Sequence, residues 1–144
     1  MNNTPHPALT PTRILHTMVR VSDLERSINF YQDALGMREI RRETYTEGRF
    51  TLVFIGYGDE ASHAIIELTY NWDESDYELG TGYGHIALEV ENIQGACERL
   101  AKMGVKIIRN FGPMTYATDE TGVRDIIAFI EDPDGYRIEL IALS

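Results

Sequence analysis

Hydrophobic and polar residues alternate over 14–21 (ILHTMVRV), the period of a strand with one buried face. In the next stretch, SDLERSINFYQDALG, the period becomes helical. Leu24, Ile28, Tyr31 and Leu35 fall on one face, Ser22 and Glu25 form a capping box, and Gly36 supplies a C-terminal stop. Strand-like runs follow at 37–44, 50–55 and 64–70. The same order then repeats. Residues 84–90 (GHIALEV) read as a strand, and Asn92 caps a helix with Ile93, Cys97 and Leu100 on its apolar face and Gly104 at its end. Strand-like runs at 105–109, 126–130 and 136–142 complete the second half, with Asp132-Pro133-Asp134-Gly135 as the turn between the last two. Each half reads β-α-β-β-β, so the fold class is α+β with two βαβββ modules. The expected organisation is a flexible tail at 1–12, which contains Pro5, Pro7 and Pro11, followed by a single domain at 13–143. That domain divides into a module at 13–70, a linker at 71–83 rich in Gly, Asp and Glu, and a module at 84–143.

Composition narrows the function classes. At 144 residues and 43% hydrophobic the chain fits one ordinary domain with a real core. A formal charge of −10 argues against nucleic acid, whose phosphates call for clustered Lys and Arg. Cys97 is the only cysteine, which excludes an intrachain disulfide and a Cys-rich zinc site. No apolar run has the length of a membrane span, and no charged-then-apolar signal segment opens the sequence. The expectation is a cytoplasmic protein with no membrane partner.

The repeat also picks out candidate chemistry. His16 and His85 lie on the first strand of their modules, Glu67 and Glu139 on the last. The separations match closely, 51 positions from His16 to Glu67 and 54 from His85 to Glu139. Each acid sits among apolar residues, in AIIELTY and YRIELIAL. A carboxylate buried alone is unfavourable by several kcal/mol or more, so it calls for a cation or a proton. Taken singly, a strand Glu usually faces solvent and a strand His is usually structural. The recurrence of both types at matched positions points instead to a two-His, two-Glu site for a divalent transition metal. The remaining polar and aromatic residues read as ordinary. His6 and His63 are surface histidines, Arg41-Arg42 is a solvated strand end, Cys97 is a small core residue, and Tyr70 and Trp72 either wall a pocket or pack.

The segments LHTMVRVSDLERSINFYQDALGM, VFIGYG, IIELTYNW, YELGTGYGHIALEV and IAFIEDPDGYRIEL carry a specific resemblance. From about Ile14 to Ile141 the chain resembles the bacterial glyoxalase I (lactoylglutathione lyase) family of the vicinal-oxygen-chelate superfamily. The resemblance implies metal ligands at His16, Glu67, His85 and Glu139, the four residues that the repeat selects. It implies a homodimer in which each site takes His16 and Glu67 from one chain and His85 and Glu139 from the other. It implies thiol-binding positions at Arg20, Asn71 and Arg109, and Ni(II) as the ion, with Co(II) next and Zn(II) after it. The implied reaction converts the methylglyoxal–glutathione hemithioacetal to S-lactoylglutathione through a metal-bound enediolate. Glu139 is the principal base and Glu67 its near-symmetric counterpart. The sequence departs from the family at 114–126, a segment that is longer than the usual bacterial loop, is acidic and lacks its Lys; Arg124 is the candidate substitute.

Rival readings exist within the same superfamily. An acyl-CoA epimerase needs a nucleotide pocket that the sequence does not display. A ring-cleaving dioxygenase uses iron with two His and one Glu, and the fourth ligand argues against it. A metal-free antibiotic-binding module needs an aromatic cleft and no tetrad.

Overall fold

The computed structural model describes residues 7–143, so His6 and the first half of the expected tail lie outside the described residues. Pro7–Leu9 form a short 3-10 turn. The elements that follow are β1 (His16–Arg20), α1 (Leu24–Asn29), β2 (Arg38–Tyr45), β3 (Phe50–Gly56), β4 (Ile65–Asn71), β5 (His85–Glu89), α2 (Ile93–Lys102), β6 (Ile107–Pro113), β7 (Ile126–Glu131) and β8 (Arg137–Ala142). They build two four-stranded sheets of identical topology, ordered β1-β4-β3-β2 and β5-β8-β7-β6. In each, the first strand runs parallel to the fourth and the other pairs are antiparallel. The α+β reading with two βαβββ modules is what the structure shows. No helix among the described residues is long and apolar enough to cross a membrane.

Alternation along the strands separates two faces. Val19, Val53, Ile55, Ile66 and Leu68 of the first sheet, and Ala128, Ile130, Ile138 and Leu140 of the second, join one hydrophobic cluster with both helices. The opposite faces hold His16, Met18, Arg20 and Glu67 in one sheet and His85, Ala87 and Glu139 in the other. The core therefore lies on the helix side, and the polar chemistry is displayed on the side facing away from it.

Two features of the first helix differ from the local reading. Its N-cap is Asp23, whose Oδ1 accepts from the Arg26 amide at 3.1 Å, not Ser22. Ser22 instead donates its hydroxyl and its amide to Asp134 Oδ1, at 2.6 and 3.1 Å, across 112 positions of sequence. After Asn29 the helix widens into a π-helical turn, Phe30–Ala34, which places Tyr31 fully inside. Asn92 caps α2 as expected, with Oδ1 2.9 Å from the Gly95 amide, and Ile93, Cys97 and Leu100 are buried. Gly36 and Gly104 follow their helices at φ +70° and +80°, the left-handed conformation that a glycine stop supplies.

The Asp132–Gly135 turn joins the two modules. Asp132 is buried, its Oδ1 accepts the Asp134 and Tyr136 amides at 2.9 Å each, and its Oδ2 accepts the Tyr31 hydroxyl at 2.7 Å. Burial pushes the Asp132 carboxyl above its ordinary range, while these donors pull it back. A raised folded pKa means that the stability contributed by Asp132 is present below its unfolded value and is lost as pH rises through the folded one. Removing a donor strengthens that loss. Tyr31→Phe is therefore expected to destabilise the protein by about 1–3 kcal/mol at pH 7, the range for leaving a buried polar group unsatisfied. The deficit should shrink as pH falls through the Asp132 pKa. Urea unfolding of both proteins at a series of pH values from 7 down to 3 checks this, and a deficit that stays constant across the series counts against the assignment.

Candidate metal centre

β1 and β4 are parallel and in register from His16↔Ile65 to Arg20↔Thr69, so Met18 pairs with Glu67. Same-face residues two apart on β1 then bring the His16 ring over the Glu67 carboxylate, and Nε2 lies 2.9 Å from Oε2. The second sheet repeats this. Ala87 pairs with Glu139, and His85 Nε2 lies 3.2 Å from Glu139 Oε1. The side chains of Glu67 and Glu139 are only 14% and 13% exposed, and among the described residues their sole ion-pair partners are these histidines. Each histidine ring is also held by an aromatic edge. Phe54 packs T-shaped on His16 at 5.6 Å between centroids and Phe129 on His85 at 5.2 Å.

This donor set suits a divalent ion. Two imidazole nitrogens and two shielded carboxylates are borderline ligands, and the carboxylates lack a Lys or Arg to neutralise them. The four do not meet within one chain, however. Among the described residues no group of three or more His, Cys, Asp or Glu is positioned to hold a metal ion. Each sheet presents one His–Glu couple on its open face.

The three thiol-binding candidates are placed differently. Arg20 lies on the open face with its guanidinium in no ion pair among the described residues, and its carbonyl accepts the Tyr136 hydroxyl at 2.8 Å. Asn71 shares the Glu67 face and donates to the Tyr77 hydroxyl at 3.1 Å. Arg109 faces the same way as Glu139, but its guanidinium is taken up by the root of the following loop, donating to the carbonyls of Gly112, Pro113 and Ile127 at 3.2, 2.7 and 3.0 Å. That loop is ordered as a hairpin extension, closed by Met114 N to Asp125 O and Thr118 N to Val123 O. Arg124 on it is exposed.

Other sequence readings also resolve. Arg41 and Arg42 are exposed, as expected, but lie inside β2 and not at its end, and the Arg41 guanidinium lies 3.6 Å over the Phe54 ring of β3. His63 is exposed, with Nδ1 2.8 Å from Ser62 Oγ. Trp72 packs, donating from Nε1 to Thr51 Oγ1 at 3.0 Å. Phe54 and Phe129 escaped the sequence reading altogether. Their signal was a repeated Phe on the third strand of each module, which acquires meaning only once the antiparallel register sets it beside a glutamate.

A family model described as Glyoxalase/Bleomycin resistance protein/Dioxygenase superfamily matches residues 13–140. The chain belongs to the glyoxalase/bleomycin resistance protein/dioxygenase superfamily. Within it, the chain is 54% identical over 129 residues to a lactoylglutathione lyase of Neisseria meningitidis, covering 90% of this chain and 89% of that one. It is 52% identical to the lactoylglutathione lyase of Escherichia coli O157:H7, over 90% and 91%. Among solved structures it resembles glyoxalase I of Zea mays, with TM-score 0.83, 37% identity, and coverage of 92% of this chain and 45% of the maize chain. It also resembles the trypanothione-dependent glyoxalase I of Leishmania major, with TM-score 0.77, 43% identity and coverage of 92% and 87%.

Proposed function

We propose that this chain is a lactoylglutathione lyase, a glyoxalase I that isomerises the methylglyoxal–glutathione hemithioacetal to S-lactoylglutathione in the cytoplasm. The observation that carries the reading is the pair of matching His–Glu couples, each with a shielded carboxylate and each on an open face, in a chain half identical to lactoylglutathione lyases. His16, Glu67, His85 and Glu139 are its metal ligands, with nickel preferred, cobalt next and zinc after it. Since one chain offers only two half-sets, the working form is a homodimer in which His16 and Glu67 of one protomer face His85 and Glu139 of its partner. A two-fold axis then generates two equivalent sites.

The reaction moves a proton from the carbon bearing sulfur to the adjacent carbonyl carbon. A bound divalent ion supplies positive charge near the substrate oxygens, where negative charge develops. The remaining work falls to side chains of the chain. Glu139 removes the carbon-bound proton and returns it to the neighbouring carbon, acting first as base and then as acid. Glu67 occupies the equivalent place in the other half. Phe54 and Phe129 pack against the histidine rings and hold them in position. Arg20 offers an unpaired guanidinium to a thiol carboxylate, a pairing suited to its fork of donors, and Asn71 lies on the same face. Arg109 fixes the loop root in this structure, so a direct role in thiol binding requires it to leave those carbonyls.

Metal removal and add-back tests the reading. Protein stripped with chelator is expected to be inactive and to regain activity with Ni(II), to a lesser degree with Co(II), and least with Zn(II). Absence of both bound metal and restored isomerase activity would reject the proposal in favour of a metal-free binding module. Recovery with zinc alone would overturn the metal assignment.

A further inference from the structure

Straight across the sheets at the level of the carboxylate, the paired residue types of the two halves match at every position except one. Across the first sheet, the residues paired at the carboxylate's level are Met18, Glu67, Phe54 and Arg41. Across the second they are Ala87, Glu139, Phe129 and Arg109. Glu, Phe and Arg recur. The outermost position, on the strand that also carries the histidine, is Met in one half and Ala in the other.

Shielding and histidine pairing do not separate the two glutamates. Their side chains are shielded to the same degree, 14% and 13%, and each has a histidine partner with a phenylalanine edge against it. What separates them is the flank. Neighbouring strands lie about 4.8 Å apart, so a residue in register stands directly beside the glutamate side chain. At Met18 a long thioether chain, 37% exposed, projects from that place onto the open face. At Ala87 the side chain ends at Cβ, and the residue is exposed. The in-register neighbour of Glu139 is thus a methyl group where that of Glu67 is a thioether chain. A reacting carbon must come within about 3–3.5 Å of the base that takes its proton, and the shorter side chain at Ala87 obstructs that approach less than Met18 does.

We infer that Ala87 is a specificity-determining residue, whose small side chain seats the substrate beside Glu139 and thereby makes Glu139, not the near-symmetric Glu67, the proton-transfer group. The inference rests on the isomerase reading above and concerns which half of the centre receives the substrate.

The test uses the full-length, nickel-loaded protein. Turnover by the unmodified protein and its loss in Glu139→Gln establish the underlying reading independently. Ala87→Met, which copies the Met18 environment, is expected to lower kcat/KM for the methylglyoxal–glutathione hemithioacetal by ~100-fold, the scale of a displacement of about 1 Å at the reacting centre. Nickel affinity and stoichiometry by calorimetry should stay unchanged. Ala87→Val, better suited to a strand, should show an intermediate loss and guards against misfolding of the longer variant. The swap of Met18→Ala with Ala87→Met is expected to recover turnover that Glu67→Gln then abolishes, a reversal that a purely structural role does not produce. The inference is overturned if Ala87→Met and Ala87→Val keep normal kcat/KM, if their losses track lost nickel, or if the swap stays inactive or still runs through Glu139.

Discussion

Glu139→Gln should leave a folded, dimeric protein that has lost turnover by ~10²–10⁴-fold, the usual contribution of a positioned general acid–base group. The substitution preserves shape. The Glu139 side chain is 13% exposed and contacts His85 through Oε1 at 3.2 Å, a contact that an amide oxygen can reproduce. The amide has no charge and cannot take a proton from carbon. Because Glu139 is also assigned as a ligand, the comparison must be made at saturating nickel, where weaker ion binding no longer limits the rate. Glu67→Gln under the same conditions should cost less, since its flank is occupied by Met18. Near-normal turnover by metal-saturated Glu139→Gln would remove Glu139 from the proton-transfer role, and equal losses in the two variants would remove the asymmetry between them.

The second expected result concerns assembly. His16→Ala and His85→Ala should each be inactive alone, because every site then lacks one imidazole. Mixed and allowed to exchange protomers, the two variants should regain about one quarter of normal activity. Half of the dimers are then hybrids, and each hybrid holds one intact site, built from the first module of one protomer and the second module of the other. A centre contained within a single chain predicts no recovery at all. The structure already favours sharing, since each sheet carries only one His–Glu couple and the described residues of one chain offer no group of three ligands. Equal-ratio mixtures assayed before and after exchange, with size-exclusion chromatography to confirm dimers, separate the alternatives. Absence of recovery in verified hybrids would refute the shared centre.

Much of this was legible from pattern. A helix or strand is specified largely by residues within one turn or one pleat, so alternation around His16 and His85 and the 3.6-residue spacing of Ile93, Cys97 and Leu100 located their elements closely. The repeat supplied more than local structure. Because each module places a His on its first strand and a Glu on its last, the couples His16–Glu67 and His85–Glu139 follow from the parallel pairing of those strands, which the structure shows directly.

Other features depend on partners far away in sequence, and no local pattern encodes them. Ser22 has the spacing of a capping box, yet Asp134 takes its hydroxyl and leaves Asp23 to cap α1. Arg41 reads as a solvated residue, and it is one, but only the pairing of β2 with β3 sets its guanidinium over the Phe54 ring. Arg109 is placed toward the centre by its register, but three carbonyls at the adjoining ends of β6 and β7 engage its guanidinium. The contrast between Met18 and Ala87 is visible as two letters in the sequence and acquires a consequence only when strand register sets each beside a glutamate. Sequence by itself determined the modules, their elements and the two His–Glu pairings. Tertiary structure decided which side chains meet and how much room each glutamate is left, because those outcomes depend on strand pairing and loop packing between residues that the chain holds tens of positions apart.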